Sequence, residues 1–370
     1  MDSKILSLFR IKYRFFLVGI VLYLLAGTSY AQTKFIPFNN QNIYYEGRIA
    51  LKKDAAELSW SGTSITINFK GRNISATLKD ADTSNYYNVI LDNRKIFKIH
   101  TDTTKKSYLL ASGLSNRKHT VQLFKRTEWA MGKTLFYGFE TQKSTKILPA
   151  KSPQKRKIEF YGNSITCGYA MEDTSGNDSW HGYFENNYLS YAAITARHFN
   201  AQYSCISKSG IGIMVSWFPL IMPEMYDRLD ATDSTSKWDF NQFTPDVVVV
   251  NLFQNDSWLI RMPEHEQFKN RFGKKVPDEN FIIESYKSFI ETLRSKYSNA
   301  RIICVLGNMD ATKEGSVWPG YVQQAVEQLH DSKIYTHFFK YKNTKGHPKT
   351  SEQNAMASSL TKFIKDNIKW

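Results

Sequence analysis

Cysteine is scarce in this 370-residue chain, with Cys167, Cys205 and Cys304 its only three. Three thiols cannot build a disulfide scaffold, and an odd number leaves at least one unpaired. Cys205 and Cys304 lie in apolar, strand-like runs (YSCIS and IICVL) and read as small buried hydrophobes. Cys167 lacks the CxxC or helix-start setting that lowers a thiol pKa, which argues against a nucleophilic thiol. Beyond residue 31 no apolar run is long enough to span a bilayer. There is no HExxH and no clustered His/Asp signature, so neither a metal nor a cofactor is expected. The net charge is +15, yet no dense basic helix or basic–aromatic ladder accompanies it. Scattered lysines and arginines that keep the chain soluble are the favoured reading, against nucleic acid as a partner. Attraction to acidic polysaccharide stays open. Internal repeats and low-complexity tracts are absent.

What is present begins with an N-terminus built like a secretory signal. Lys4, Arg10, Lys12 and Arg14 precede an apolar run from Phe15 to Ala26, and Ser29-Tyr30-Ala31 places small residues at −3 and −1 of a cut before Gln32. The reading is an exported protein, periplasmic or secreted, with no stable membrane span once residues 1–31 are removed. Removing them takes away four basic residues and Asp2, leaving +12. Residues 32–143 read as β throughout. Short runs such as SITINFK, YYNVILD and HTVQLFK are rich in β-branched and aromatic residues, and turn residues separate them, which predicts a β-sandwich or jelly roll. Residues 144–156 carry two prolines and little apolar content and read as a linker.

From 157 the pattern changes. Strand candidates at 157–162, 202–207, 246–252, 301–306 and 334–339 alternate with helical stretches at 188–199, 281–297, 320–331 and 353–367. This predicts a parallel sheet with helices on both faces, filling 157–370. The run Val247–Val250 suits a central strand buried on both sides. Two long irregular segments, 170–187 and 254–280, follow strand ends and are expected to overhang the same sheet edge as lids or binding loops.

The stretch IEFYGNSITCGY breaks from strand to turn at Gly162-Asn163-Ser164, which holds the Ser164 hydroxyl where a substrate can reach it. A serine hydrolase also needs a base, donors for the oxyanion and a group to orient the base. Of the eight histidines, His347 stands between Gly346 and Pro348 after the last strand, on a loop returning to the edge where Ser164 lies. The other histidines sit in the β region, on helices, in a strand or in loops without a partner motif. Gly210, in the turn SKSGIG after the second strand, offers a backbone N–H. Asn255-Asp256 follows the third strand, and Asn255 offers a carboxamide.

Gly162-Asn163-Ser164, Gly210, Asn255-Asp256 and His347-Pro348 resemble, in order, the four blocks of the SGNH/GDSL hydrolases. The resemblance implies a flavodoxin-like α/β/α sandwich, with Ser164 as nucleophile, His347 as base, and Ser164 N–H, Gly210 N–H and Asn255 as the oxyanion hole. With the preceding β-sandwich, the whole mature chain resembles carbohydrate esterase family 2, exported bacterial enzymes that remove acetyl groups from sugar hydroxyls, notably at the 6-position. The expected partner is therefore an acetylated carbohydrate. Trp180, Tyr183, Trp258 and Trp318 are candidates for stacking on a sugar ring. Three departures stand out. Asn163 replaces the usual Asp, Phe253 stands where a glycine opens the GxND block, and Thr344 and Lys345 occupy the usual positions of the acid before the histidine. Phe253 is expected to reshape the acyl pocket. Family 2 includes members working with a Ser–His dyad; otherwise Asp256 or Asp310, both near strand ends, are the candidates to orient His347. An esterase acting on another ester and a catalytically impaired carbohydrate-binding protein are the competing readings.

Overall fold

The structure, a computed structural model, describes residues 32–370; the expected signal peptide lies outside them. The first part of the chain forms two antiparallel sheets. One runs in the order Ile49–Leu51, Ala56–Leu58, Thr134–Gln142, Ile74–Asp80, Lys106–Ala111, with Thr33–Pro37 added along Thr134–Gln142. The other runs Lys146–Ile147, Ser64–Lys70, Lys118–Lys125, Tyr86–Leu91, Lys95–His100, with Ile43–Glu46 pairing Ser64–Lys70. Alternate residues of both sheets, among them Leu58, Leu78, Phe136 and Phe139 from the first and Ile65, Ile67, Val89 and Leu123 from the second, meet in one apolar core, as period-2 patterning requires. The segment expected as a linker contributes the short strand Lys146–Ile147, paired with Lys70 and Phe69.

The second part is a five-stranded sheet, parallel throughout: β1 (Arg156–Gly162), β2 (Ala201–Ser207), β3 (Val247–Asn251), β4 (Arg301–Leu306) and β5 (Ile334–Phe338), in the spatial order β2-β1-β3-β4-β5. On one face, Val248, Val250, Ile302 and Cys304 pack under α5 (Glu279–Lys296) and α6 (Trp318–Gln328). On the other, Val247, Val249, Ile303 and Val305 pack under α2 (Tyr191–His198) and α7 (Thr350–Asn367). Alternation of buried residues between two helical layers explains why β3 is apolar at each of its valines. The order reverses between β2 and β3, on either side of β1, and ligands of doubly wound sheets bind at such a switch point, beyond the carboxyl ends of the strands. Register makes this edge even: Gly162 at the end of β1 is level with Ser207 of β2 and Asn251 of β3.

Of the two long segments read as irregular, 170–187 keeps that character, with a single 3₁₀ turn at Gly182–Phe184 before the one that opens at Asn187. The other does not. Residues 254–280 contain α3 (Gln254–Leu259) and α4 (Glu266–Phe272) and run into α5. His265 Nδ1 accepts the Gln267 N–H and so caps α4, a local signal that apolar periodicity over so short a helix does not carry.

Candidate active site

Ser164 opens α1 (Ser164–Cys167), a single turn begun directly from the end of β1. Asn163 lies in extended backbone and its side chain accepts the Ile165 N–H at 3.0 Å, an N-cap that fixes the strand-to-helix corner. Asparagine at this corner therefore serves as a cap. The helix ends at Gly168, and the serine hydroxyl is left at the floor of a cleft of about 490 Å³. Cys167, on the same turn, points the other way; burial pushes its thiol well above the ordinary range, and it neighbours Ser207 Oγ at 3.2 Å.

His347 meets Ser164 from the loop between β5 and α7: Nε2 stands 2.8 Å from Ser164 Oγ. On the opposite side of the ring, Nδ1 is 2.7 Å from Asp178 Oδ2, and the His347 backbone N–H donates to the same oxygen at 2.6 Å. With Nδ1–H donated to the carboxylate, Nε2 is left as the acceptor facing the hydroxyl. Asp178 is held in turn by Lys349, whose Nζ donates to Oδ1 at 2.8 Å and to the Ala170 carbonyl at 2.9 Å. Burial alone raises the Asp178 carboxyl, but the hydrogen bonds from His347 and Lys349 and the charge of its partners outweigh it and hold the group well below the usual carboxylate range. Tyr169 packs against the imidazole, ring centroids 4.7 Å apart.

The carboxylate beside His347 thus comes from the 170–187 segment, and neither Asp256 nor Asp310 takes that place. Asp256 is wholly buried and accepts three successive backbone N–H groups, Ile213, Met214 and Val215, at 2.7–3.2 Å. It anchors the loop after β2. Its carboxyl is pushed up to about 6 by burial, against those backbone bonds. Asp310 accepts the Trp258 indole N–H at 3.0 Å. Nothing in the sequence singles out Asp178. It lies 169 residues from His347, in a segment holding three other carboxylates, Glu172, Asp173 and Glu185, and only the tertiary fold selects among them.

Ser164, Gly210 and Asn255 line the same cleft. Gly210 has φ +82°, a left-handed conformation that suits glycine, and a Cβ there would press on Phe218 and Trp217 at 3.1 and 3.3 Å. The N–H groups of Ser164 and Gly210 have no protein acceptor among the described residues. Asn255 Nδ2 donates to the Ile211 carbonyl at 2.8 Å, which leaves its second hydrogen for the cleft.

The aromatic candidates separate. Trp180 and Trp258 line the cleft, and Trp180 is 68% exposed. Tyr183 lies outside the cleft lining and carries the Lys98 ammonium 3.1 Å from its ring centroid, a surface cation–π pair. Trp318 is buried in the core at 1% exposure, where it meets Phe253 edge-on. Phe253 also departs from expectation. Its side chain is fully buried between Tyr286 and Trp318, away from the cleft lining, while its backbone adopts φ +74°, the left-handed conformation a glycine would take. Residues not foreseen from sequence include Trp217 and Phe218, after Gly210, and Glu128, Ala130 and Met131 from the β-sandwich. Glu128 Oε2 accepts the Ser209 N–H at 2.7 Å, so the sandwich grips the loop that presents Gly210.

The 2-1-3-4-5 sheet, with this serine, glycine, asparagine and histidine set along one edge and an antiparallel sandwich in front, is the α/β/α fold of the SGNH/GDSL hydrolases. A family model described as the carbohydrate esterase 2 N-terminal domain matches residues 45–150. A solved family two carbohydrate esterase from Clostridium thermocellum, in complex with cellohexaose, is 34% identical with a TM-score of 0.78, covering 88% of this chain and 98% of that one. The cellulase/esterase CelE of Acetivibrio thermocellus is 33% identical over 90% of this chain, which spans only 40% of that protein's length. An acetylxylan esterase / glucomannan deacetylase of Cellvibrio japonicus is 24% identical over 92% of this chain and 93% of its own. The chain belongs to carbohydrate esterase family 2.

Proposed function

We propose that the protein is an exported serine esterase that removes O-acetyl groups from carbohydrate, acting on acetylated plant polysaccharide or oligosaccharide, including 6-O-acetyl sugars. The observation that carries this reading is the relay Ser164–His347–Asp178, with links of 2.8 and 2.7 Å, at the floor of a cleft walled by Trp180, Trp217 and Trp258. Ser164 Oγ attacks the ester carbonyl as His347 Nε2 takes its proton. Asp178 holds the ring in the required tautomer and stabilises the imidazolium that forms. Charge on the carbonyl oxygen is received by Ser164 N–H, Gly210 N–H and Asn255 Nδ2. The sugar hydroxyl leaves with the proton from His347, and water, activated by the same base, releases acetate from the acyl-serine. Aromatic walls offer flat apolar faces to a sugar ring. The carboxylate beside His347 counts against the impaired, purely binding alternative, whose motive was the lack of an acid near Lys345.

Export is supported by the basic, apolar and small-residue succession of residues 1–31; among the described residues no helix is long and apolar enough to cross a membrane. The sandwich (32–143) and the hydrolase part (157–370), joined through 144–156, act as one enzyme in this reading, because Glu128, Ala130 and Met131 supply one wall of the cleft. The test is acetate release from acetylated xylan, acetylated glucomannan and a panel of positional sugar acetates, wild type beside Ser164→Ala. The expected outcome is release by the wild type and loss by about 10³-fold or more in the variant. Equal release from both would remove Ser164 from the chemistry, and glycan binding without any release would favour the binding protein.

A further inference from the structure

An asparagine stabilises an oxyanion only in one of its two amide orientations; flipped by 180°, it offers its oxygen to the developing negative charge. Two bonds decide the orientation of Asn255. Its Nδ2 lies 2.8 Å from the Ile211 carbonyl, which accepts only, and its Oδ1 lies 3.0 Å from Trp217 Nε1, which donates only. Trp217 touches the second donor as well. Its backbone N–H donates to the Gly210 carbonyl at 3.1 Å. Its side chain abuts Gly210 so closely that a Cβ on that glycine would stand 3.3 Å from Trp217 Cδ1. One residue therefore braces both donors that Ser164 does not supply.

We infer that Trp217 is a positioning residue for the oxyanion hole, with its indole N–H setting the Asn255 amide for the transition state. This rests on the reading of Ser164, Gly210 and Asn255 given above. A purely core-packing role does not account for the side chain: Trp217 is 41% exposed, forms part of the cleft wall and meets His265 edge-on at 5.3 Å. Its bond to Asn255 is also placed to respond to substrate. A sugar lying over the indole excludes water from that hydrogen bond and strengthens it when the oxyanion forms.

Trp217→Phe keeps an aromatic ring in the wall and the backbone bond to Gly210, and removes the indole N–H together with part of the ring area. On a soluble sugar acetate, kcat is expected to fall by about 10- to 100-fold, a fraction of the loss for a whole oxyanion donor, with KM within about twofold and the thermal midpoint unchanged. Asn255→Ala is expected to lower kcat further than Trp217→Phe, and the double variant to be no slower than Asn255→Ala alone, because without the amide there is nothing left to orient. A rise in KM with kcat preserved would make Trp217 a sugar-stacking residue and overturn the inference. So would strictly multiplicative losses in the double variant. If instead Asn255→Ala is as active as wild type while Ser164→Ala is dead, the fault lies in the assignment of Asn255. If wild type and Ser164→Ala release acetate equally, the catalytic reading itself fails.

Discussion

Asp178 is where a single side chain bears most on the proposed chemistry. One oxygen takes both the ring and backbone N–H groups of His347, and the other takes Lys349. The residue holds φ +51° to do so, a conformation that aspartate tolerates better than most. Asp178→Asn preserves the shape but is free to present its amide to Nδ1, forcing the wrong tautomer. The expected result is a fall in kcat of about 10²- to 10⁴-fold with KM little changed, read from steady-state kinetics on a sugar acetate. Stability should follow pH through the same group. Its folded pKa lies below its unfolded value of about 3.9, so its ionised form adds stability that is complete above roughly pH 4–5 and drains away as pH falls toward the depressed folded value. Thermal midpoints across pH 2.5–7 should show the acid-side decline, and Asp178→Asn should flatten it. Had the variant kept wild-type kcat, the histidine would be functioning as half of a dyad.

At the scale of elements, the site is an alignment of strand ends. Gly162, Ser207 and Asn251 share one row of the sheet, and Ser164, Gly210 and Asn255 leave it within four residues or fewer. The fourth participant arrives on the loop before α7, whose geometry turns on Gly346. Its φ is +69°, and a Cβ there would lie 2.6 Å from Asp178 Oδ1. Gly346→Ala is therefore expected to displace the carboxylate and cost about 1–2 kcal/mol of folding free energy from backbone strain. Activity should drop well beyond what that loss of stability explains; urea melts and kinetics on the same preparation separate the two effects.

This scale also explains what sequence made legible. Strand and helix positions in the parallel sheet follow from apolar runs alternating with 3.6-residue patterns; Ser164, Gly210 and Asn255 stand out because each follows a strand end by a few residues, and His347 because it lies on the loop after the last strand. Asp178 follows no such rule, being fixed by a loop with no periodicity. Phe253 misled for a related reason. Its position promised a glycine's backbone, which it has, and nothing local revealed that its ring would turn into the core between Tyr286 and Trp318. Trp318 is equally ambiguous in sequence, since a tryptophan opening an amphipathic helix reads the same whether its ring faces the core, as here, or a cleft.

For the molecule as a whole, the two parts are joined by more than a strap. Arg48 of the sandwich reaches Glu159 in the middle of β1 at 3.2 Å, both side chains fully excluded from solvent. Both groups are held by further bonds: Arg48 donates through Nη1 to the Tyr226 and Arg228 carbonyls, and Glu159 accepts from Tyr161, Tyr297 and Ser204, while Arg48 Nε has no partner among the described residues. Truncating one partner leaves the other buried and unpaired, at about 3–5 kcal/mol. Arg48→Met should lower the unfolding free energy by that order in denaturant titrations, and removing both charges together, in Arg48→Met with Glu159→Gln, should recover part of it. With such a pair across the boundary, both parts are expected to melt in one calorimetric transition.

The three cysteines carry a consequence for where the chain can fold. All are free and buried, Cys167 on the Ser164 turn, Cys205 in β2 and Cys304 in β4, and burial pushes Cys205 and Cys304 up to about 11 and about 12. Thiols so reluctant to ionise are poor partners for oxidants and for thiol–disulfide exchange. The fold therefore holds no disulfide that has to form, and once folded its buried thiols are expected to stay reduced whether the surroundings are reducing as in a cytosol or oxidising as beyond a membrane.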